Sequence, residues 1–367
     1  MKYYIIAGEA SGDMYGALLI KALRQKDPAA EFRCWGGDAM TAEAGRPVRH
    51  IKDLAIMGFV EVAVHLRTVL GNISFCKQDI EAYQPDVVIG IDYPGFNLRI
   101  ERWDKEKVYK TVHYISPNLW AWKKGRIKGM RQSLDRLCYI LPFERDFFAR
   151  EAMAVYVGHP LIDRIKTDGP GRDLGVAKDK PIIALLPGSR RQELKKSLPL
   201  MVALAKKHPE YRFVVAGMSL IGEELYSRLT RGSAGIEIVY DRTYALLGEA
   251  FAAVVCSGTA TLETALFDVP QVVCYRANPI SIAIAKAIVG RRISYISLVN
   301  LIADSPIVTE LIQEDFNGNR LDLEFKKITV DADNRERMKN EYADMRKLLG
   351  NGGASVRTAE EILSILK

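Results

Sequence analysis

The apolar positions alternate between two textures: short runs rich in Val and Ile, and longer stretches with apolar residues at helical spacing. Lys2–Ala7 is the first short run, and residues 14–24 follow it with helical spacing. Residues 31–35, 86–91, 110–115, 136–141 and 154–157 continue the strand series. A second series opens with 181–186 and the helix 192–207, then 211–216, the helix 220–231, 236–240, 252–256 and 271–275. Residues 331–367 read as helix in two pieces, broken at Gly350-Asn351-Gly352-Gly353. Strands separated by helices make βαβ units and parallel sheets. The Gly/Pro-rich segment 166–172 between the two series is the linker. The expected fold is α/β: two doubly wound Rossmann-like domains facing a cleft, residues 1–168 and 169–345, with a helical tail, 346–367, packing back on the first domain or on a partner subunit.

Composition narrows the class. In 367 residues, 48% hydrophobic and 26% charged are ordinary globular values, which excludes collagen-like and disordered readings. No apolar run approaches the ~18 residues that a membrane-spanning helix needs, and the N-terminus lacks the features of a secretory signal. Cys34, Cys76, Cys138, Cys256 and Cys274 show no paired spacing, so they read as small buried apolar residues in a reducing cytoplasm. The net charge of +7 is concentrated in 123–131, at Arg190/Arg191 with Lys195/Lys196, and at Arg291/Arg292. Such clusters favour anionic partners or form a solvated basic surface. No nucleic-acid-binding motif accompanies them.

Six loops carry candidate chemistry. Gly8, Glu9, Ala10, Ser11, Gly12 and Asp13 follow the first strand, where glycines admit a ligand and a helix start offers amides to an anion. A tight turn capped by Asp13 accounts for Gly12 and Asp13 but not for Glu9. In the second loop, Gly188 and Ser189 turn the chain and Arg190 stands where a helix begins. A cation there opposes the macrodipole, so an anion such as a diphosphate is the better explanation than a surface Arg. Ser257, Gly258, Thr259, Ala260 and Thr261 form a second amide-rich helix start, and Glu263 is placed to accept from a ribose diol or to close a capping box.

The fourth loop puts Asp92 at the end of the strand 86–91, before a Pro-Gly turn, as a general base or an Asx-turn carboxylate. Trp120 and Trp122 precede a run of cations, which suits a site mixing apolar and anionic groups, or a core Trp pair beside a basic helix. Met57, Val60, Glu61, Val62, Val64, Leu66 and Leu70 form an acyl-binding or membrane-docking surface, or an ordinary buried helix. Asp331 and Asp333 open the tail helix and read as caps. No P-loop, G-x-S-x-G or H-E-x-x-H occurs, and neither metal nor cofactor is expected.

Together these loops resemble the lipid-A-disaccharide synthases, two-domain glycosyltransferases of the GT-B type. The matching segments include residues 7–13, Met57-Gly58 with Glu61-Val62, 91–97, 114–122, 141–144, 157–161, 185–193, 257–263, 296–300 and 310–313, in order along the chain. Tyr93-Pro94-Gly95 departs from the family, which often has a second acidic residue before Phe-Asn. The resemblance implies transfer from UDP-2,3-diacylglucosamine to 2,3-diacylglucosamine 1-phosphate (lipid X), with inversion, giving a β-1′,6-linked disaccharide phosphate and UDP. It also implies a cytoplasmic enzyme attached peripherally to an anionic inner-membrane surface, and homodimers that exchange C-terminal segments. On this reading Asp92 is the base, and Arg190 with the 257–261 amides stabilises the departing UDP. Glu263 holds the ribose, and Asn300 and Gln313 line the nucleotide pocket. Glu9, Ser11, Gly12, Asp13, Glu61 and the Trp120/Trp122 region shape the acceptor side. The rival readings are another UDP-sugar enzyme of this architecture, such as a 2-epimerase or a soluble-acceptor transferase, and a non-catalytic UDP-sugar-binding protein.

Overall fold

A computed structural model describes residues 1–54, 66–104, 109–117, 119, 125–169, 173–231, 233, 235–276 and 295–367. The chain divides into two bodies, Met1–Arg164 with Asn351–Lys367, and Ile165–Gly350.

The first body is built on β1 (Lys2–Ala7), β2 (Glu31–Gly36), β3 (Arg49–His50), β4 (Val87–Ile91), β5 (Lys110–Tyr114), β6 (Arg136–Tyr139) and β7 (Ala154–Tyr156). They pair in parallel in the order β3-β2-β1-β4-β5-β6-β7. The central strands are buried on both faces, which is why they read as continuous apolar runs rather than alternating ones. One face packs Tyr4, Ile6, Trp35, Cys76, Ile80 and Val88 into a single cluster. Its polar tips are paired: Trp35 Nε1 donates to Tyr4 Oη at 2.7 Å, and Tyr4 Oη donates to Asp79 at 2.7 Å.

The second body contains β8 (Ile182–Leu186), β9 (Arg212–Gly217), β10 (Ile236–Tyr240), β11 (Ala250–Cys256), β12 (Gln271–Tyr275) and β13 (Thr309–Ile312). Their order is β10-β9-β8-β11-β12-β13, again parallel. The helix expected over 220–231 is split by Gly222, at φ 95°, into a short 3-10 turn, Ser219–Ile221, and the helix Glu223–Thr230. The pattern gave no sign of the helix Gly318–Thr329, whose Asn317 side chain accepts from the amides of Asn319 and Arg320.

The two tail helices part company. Helix Ala332–Leu349 stays with the second body, where it buries Met338, Tyr342, Met345 and Leu349. Asp331 caps it by accepting from the Asn334 amide at 3.0 Å. Helix Ala354–Leu366 belongs to the first body and packs on helix Ala10–Lys26. Asp163 caps it through the amides of Gly353 and Ser355, Arg357 reaches the Val157 carbonyl at 2.8 Å, and Lys26 pairs with Glu360 at 2.8 Å. All five cysteines are buried and unpaired.

Candidate active site

In a doubly wound parallel sheet, ligands bind beyond the carboxyl ends of the strands, where the strand order reverses. In the first sheet that point lies between β1 and β4, and in the second between β8 and β11. The loops that leave these four strands are the 8–13, 92–97, 188–193 and 257–263 segments, so four of the six loops read from the sequence flank the two reversal points.

At the first point the loop after β1 is shorter than the sequence implied. Helix Ala10–Lys26 begins immediately after Glu9, so Ser11, Gly12 and Asp13 are helical. Gly12 lets that helix approach the sheet: a Cβ there would stand 3.3 Å from Ala7 Cβ. Asp13 is buried, and its carboxylate accepts from the amides of Gly37 at 2.6 Å, Ala39 at 3.0 Å and Met40 at 3.0 Å. It therefore caps helix Asp38–Ala44, a neighbour rather than its own helix, and its oxygens face amides instead of an acceptor sugar. Gly8 is fixed by packing, because a Cβ there would collide with the ring of Tyr93. Burial and the charge of Glu9 raise the pKa of Tyr93, placing the Glu9 carboxylate within electrostatic reach of that ring.

Asp92 and Tyr93 both have positive φ, 46° and 48°. Two consecutive non-Gly residues in the left-handed region are costly, and such strain gathers at functional sites. Three bonds hold it. The Asp92 amide donates to the Tyr114 carbonyl at 2.8 Å, and Asn97 Nδ2 donates to the carbonyls of Asp92 at 2.7 Å and Ile91 at 3.3 Å. The backbone is thus clamped while the half-buried Asp92 side chain stands at the sheet's carboxyl edge.

Three buried groups to which the sequence analysis assigns no role lie in this body. His113 on β5 and Glu101 on helix Pro94–Asp104 are both fully buried, with His113 Nδ1 2.5 Å from Glu101 Oε1. Glu144 is 1% exposed, takes the Ser116 hydroxyl at 2.6 Å and the Leu141 amide at 3.2 Å, and is pushed up to about 7 by burial. A His inside a strand and a Glu inside a helix leave no periodic signal, so only the fold reveals them.

The second reversal point is finished differently. Gly188 has φ 113°, and a Cβ on it would meet Glu193 Oε2 at 2.6 Å and Cys256 Sγ at 3.4 Å, so the loops after β8 and β11 touch. Glu193 accepts from the Ser189 amide at 3.1 Å and lies 3.5 Å from Arg190 Nη1. Arg190 is the residue before helix Arg191–Lys207, with its side chain 54% exposed. Arg191 is engaged elsewhere, donating to the Ile221 carbonyl at 2.7 Å. Gly258 opens helix Thr259–Leu266 at φ 154°, and among the described residues no atom lies within 4 Å of its missing Cβ. Ser257, Thr259 and Ala260 are partly exposed around it. Thr261 is buried, its hydroxyl turned back to the Gly258 carbonyl at 2.8 Å. Glu263 accepts from Tyr244 Oη at 3.1 Å.

Asn300 is turned inward. It is 1% exposed, and its amide bonds Val308 through both N–H and carbonyl, at 2.9 and 3.0 Å, as well as Glu310 at 3.0 Å. Glu310 also gathers the amides of Ile296 and Ser297. Asn300 thus braces the wall that Ser257 reaches through the Ile296 carbonyl, rather than lining a pocket itself. Gln313 follows β13 at φ 54° and opens the 3-10 turn Gln313–Asp315, its carbonyl held by Arg276. Met57, Val60, Glu61, Val62, Val64, Trp120 and Trp122 lie outside the described residues. Leu66 opens helix Leu66–Tyr83, on which Leu70 is 52% and Phe75 38% exposed. Among the described residues no helix is long and apolar enough to cross a membrane.

Solved structures with this fold include a UDP-GlcNAc 2-epimerase from Neisseria meningitidis bound to UDP-GlcNAc, with a TM-score of 0.68, 13% identity, and coverage of 99% of this chain and 100% of that one. The S. aureus MnaA-UDP co-structure matches with a TM-score of 0.69 at 14% identity, covering 100% of this chain and 96% of that one. At such identity the likeness establishes the GT-B architecture alone. Sequence relatives are nearer. Lipid-A-disaccharide synthases from Chromohalobacter salexigens and Myxococcus xanthus are 36% and 35% identical, covering 100% and 99% of this chain and 97% of each relative. That of Geobacter sulfurreducens is 33% identical over 99% of this chain and 96% of its own length. The model of the lipid-A-disaccharide synthetase family matches residues 3–365, and the chain belongs to that family.

Proposed function

We propose that the protein is the glycosyltransferase that joins UDP-2,3-diacylglucosamine to lipid X, releasing UDP and the β-1′,6-linked lipid A disaccharide phosphate. The family match over residues 3–365 carries this reading, and the two reversal points supply the roles. Asp92 takes the proton from the acceptor 6-hydroxyl as that oxygen attacks the anomeric carbon. The new O–C bond forms as the bond to UDP breaks, and the electron pair leaves on the diphosphate. Arg190 and the helix start at Gly258, Thr259 and Ala260 stabilise that charge, with Ser189 and Gly188 shaping the turn and Glu263 and Gln313 completing the nucleotide side. Glu9 and the 8–13 segment flank the acceptor.

The acyl chains need an apolar surface. The 57–70 segment supplies it, supported by exposed Leu70 and Phe75, and the basic clusters favour peripheral attachment to an anionic inner-membrane face on the cytoplasmic side. A homodimer that exchanges helix Ala354–Leu366 would preserve the contacts made by Asp163 and Arg357. The test is direct: the purified protein is incubated with UDP-2,3-diacylglucosamine alone, then with lipid X added. Release of UDP together with disaccharide phosphate only when both are present is the expected result. Isomerisation of the donor alone would point to an epimerase, and donor binding without turnover to a binding protein.

A further inference from the structure

Behind Asp92 lies a buried acid–imidazole pair to which the mechanism above assigns no task. Asn97 and Glu101 stand one turn apart on helix Pro94–Asp104, and both pack against Gly90, two residues before Asp92. A Cβ on Gly90 would come 2.6 Å from Glu101 Oε1 and 3.0 Å from Asn97 Cβ. One row of the helix therefore performs two tasks. Asn97 clamps the Asp92 carbonyl at 2.7 Å, and Glu101 meets His113 Nδ1 at 2.5 Å. His113 is the register partner of Gly90 across the β4–β5 ladder, and the residue after it, Tyr114, accepts the Asp92 amide at 2.8 Å. On its other side His113 faces Leu137 of β6. The second oxygen of Glu101 has no hydrogen-bond partner among the described residues.

We propose that Glu101 and His113 form a buried ion pair that positions Asp92 and, through the imidazolium, keeps it a carboxylate ready to accept a proton. A fully buried carboxylate needs a counter-charge, and the imidazole is the group in contact with it. Burial acts to lower the pKa of His113, but the Glu101 carboxylate, the charge of Asp92 and the Ile115 backbone outweigh it and raise the value above the ordinary one. The coupling is mutual: an imidazolium that Asp92 stabilises must lower the proton affinity of Asp92. This proposal rests on Asp92 being the base. Glu101 and His113 are positioning residues, since they act through it.

Imidazole 15N shifts of the intact protein, labelled at its five histidines and assigned with His113→Gln, read the charge directly. His113 should titrate above an ordinary imidazole, and Asp92→Asn should lower its midpoint. Asn adopts left-handed φ as Asp does, so that variant keeps the loop. In parallel, His113→Gln and Glu101→Gln should move the acid limb of the kcat–pH profile upward by about half a unit or more, with KM for the donor unchanged. A His113 that titrates no higher than an ordinary imidazole, or one indifferent to Asp92→Asn, overturns the proposal even where Asp92→Asn abolishes turnover. Normal turnover by Asp92→Asn overturns the base assignment instead, whatever the imidazole shows. Should the Gln variants fail to fold, the titrations of the intact chain and of Asp92→Asn decide.

Discussion

The two reversal points share a topology and are finished in opposite ways. The first is dense and acidic: Tyr93 packs on Gly8, Asp13 is spent on three amides, and Asp92 is clamped in an unfavourable backbone conformation. The second is open and cationic: Arg190 is half exposed, and no atom of the described residues lies within 4 Å of a Cβ placed on Gly258, beside the start of helix Thr259–Leu266. A base must hold one orientation against a moving proton, so rigid burial suits it. A leaving-group site must admit a large anion and then release it, so open amides suit that.

Substitutions sharpen this contrast. Asp92→Asn should lower kcat by ~10²–10⁴ with the fold intact, measured as UDP release beside a thermal melt; near-normal turnover would end the role of the acidic edge. Arg190→Ala should cost ~10²–10³ in turnover by removing charge stabilisation in the transition state. Arg191→Ala, which among the described residues loses a bond to the Ile221 carbonyl, should lower stability by ~1 kcal/mol while leaving turnover per folded molecule near normal. Equal kinetic losses in the two Arg variants would erase the distinction between them.

Asp13→Ala tests the acidic edge differently. It leaves three amides of a buried helix start without their acceptor, so denaturant unfolding should show a loss of ~1–3 kcal/mol. A variant of wild-type stability but no activity would return Asp13 to the acceptor site. A pH-dependent effect is expected at Glu144. Its folded pKa is about 7 against an ordinary 4.5, so the folded state holds a proton that the unfolded chain has lost. That contribution is complete below about pH 4.5 and is lost as pH rises through about 7. Glu144→Gln should flatten the fall in stability across that window.

How much of this was legible depended on how local each signal is. The strands were read closely because parallel, doubly covered strands need unbroken apolar runs; β10 and β12 fall on the expected residues. β13 was not read as a strand, because four residues including Glu310 carry too little pattern. Arg190, Gly188 and Ser257 stand out in the sequence because loops ending strands expose their chemistry there. The partners of Asp13 and Asn300 are not legible locally, since the groups that engage them come from a later helix and a later strand. Glu101 and His113 were invisible, being ordinary residues of a helix and a strand until the sheet brings them together. The tail was placed at 346, whereas the second body keeps the chain to Gly350 and the first reclaims it at Asn351.

That last feature orders the birth of the molecule. The N-terminal residues leave the ribosome first, but the helix that covers Ala10–Lys26 arrives only with residues 354–366. Until then helix Ala10–Lys26, whose Lys26 pairs with Glu360, lacks that neighbour, while the strands of the intervening body are already made. The nascent chain is therefore expected to mature from its middle outward, with the earliest-made half the last to become protease-resistant.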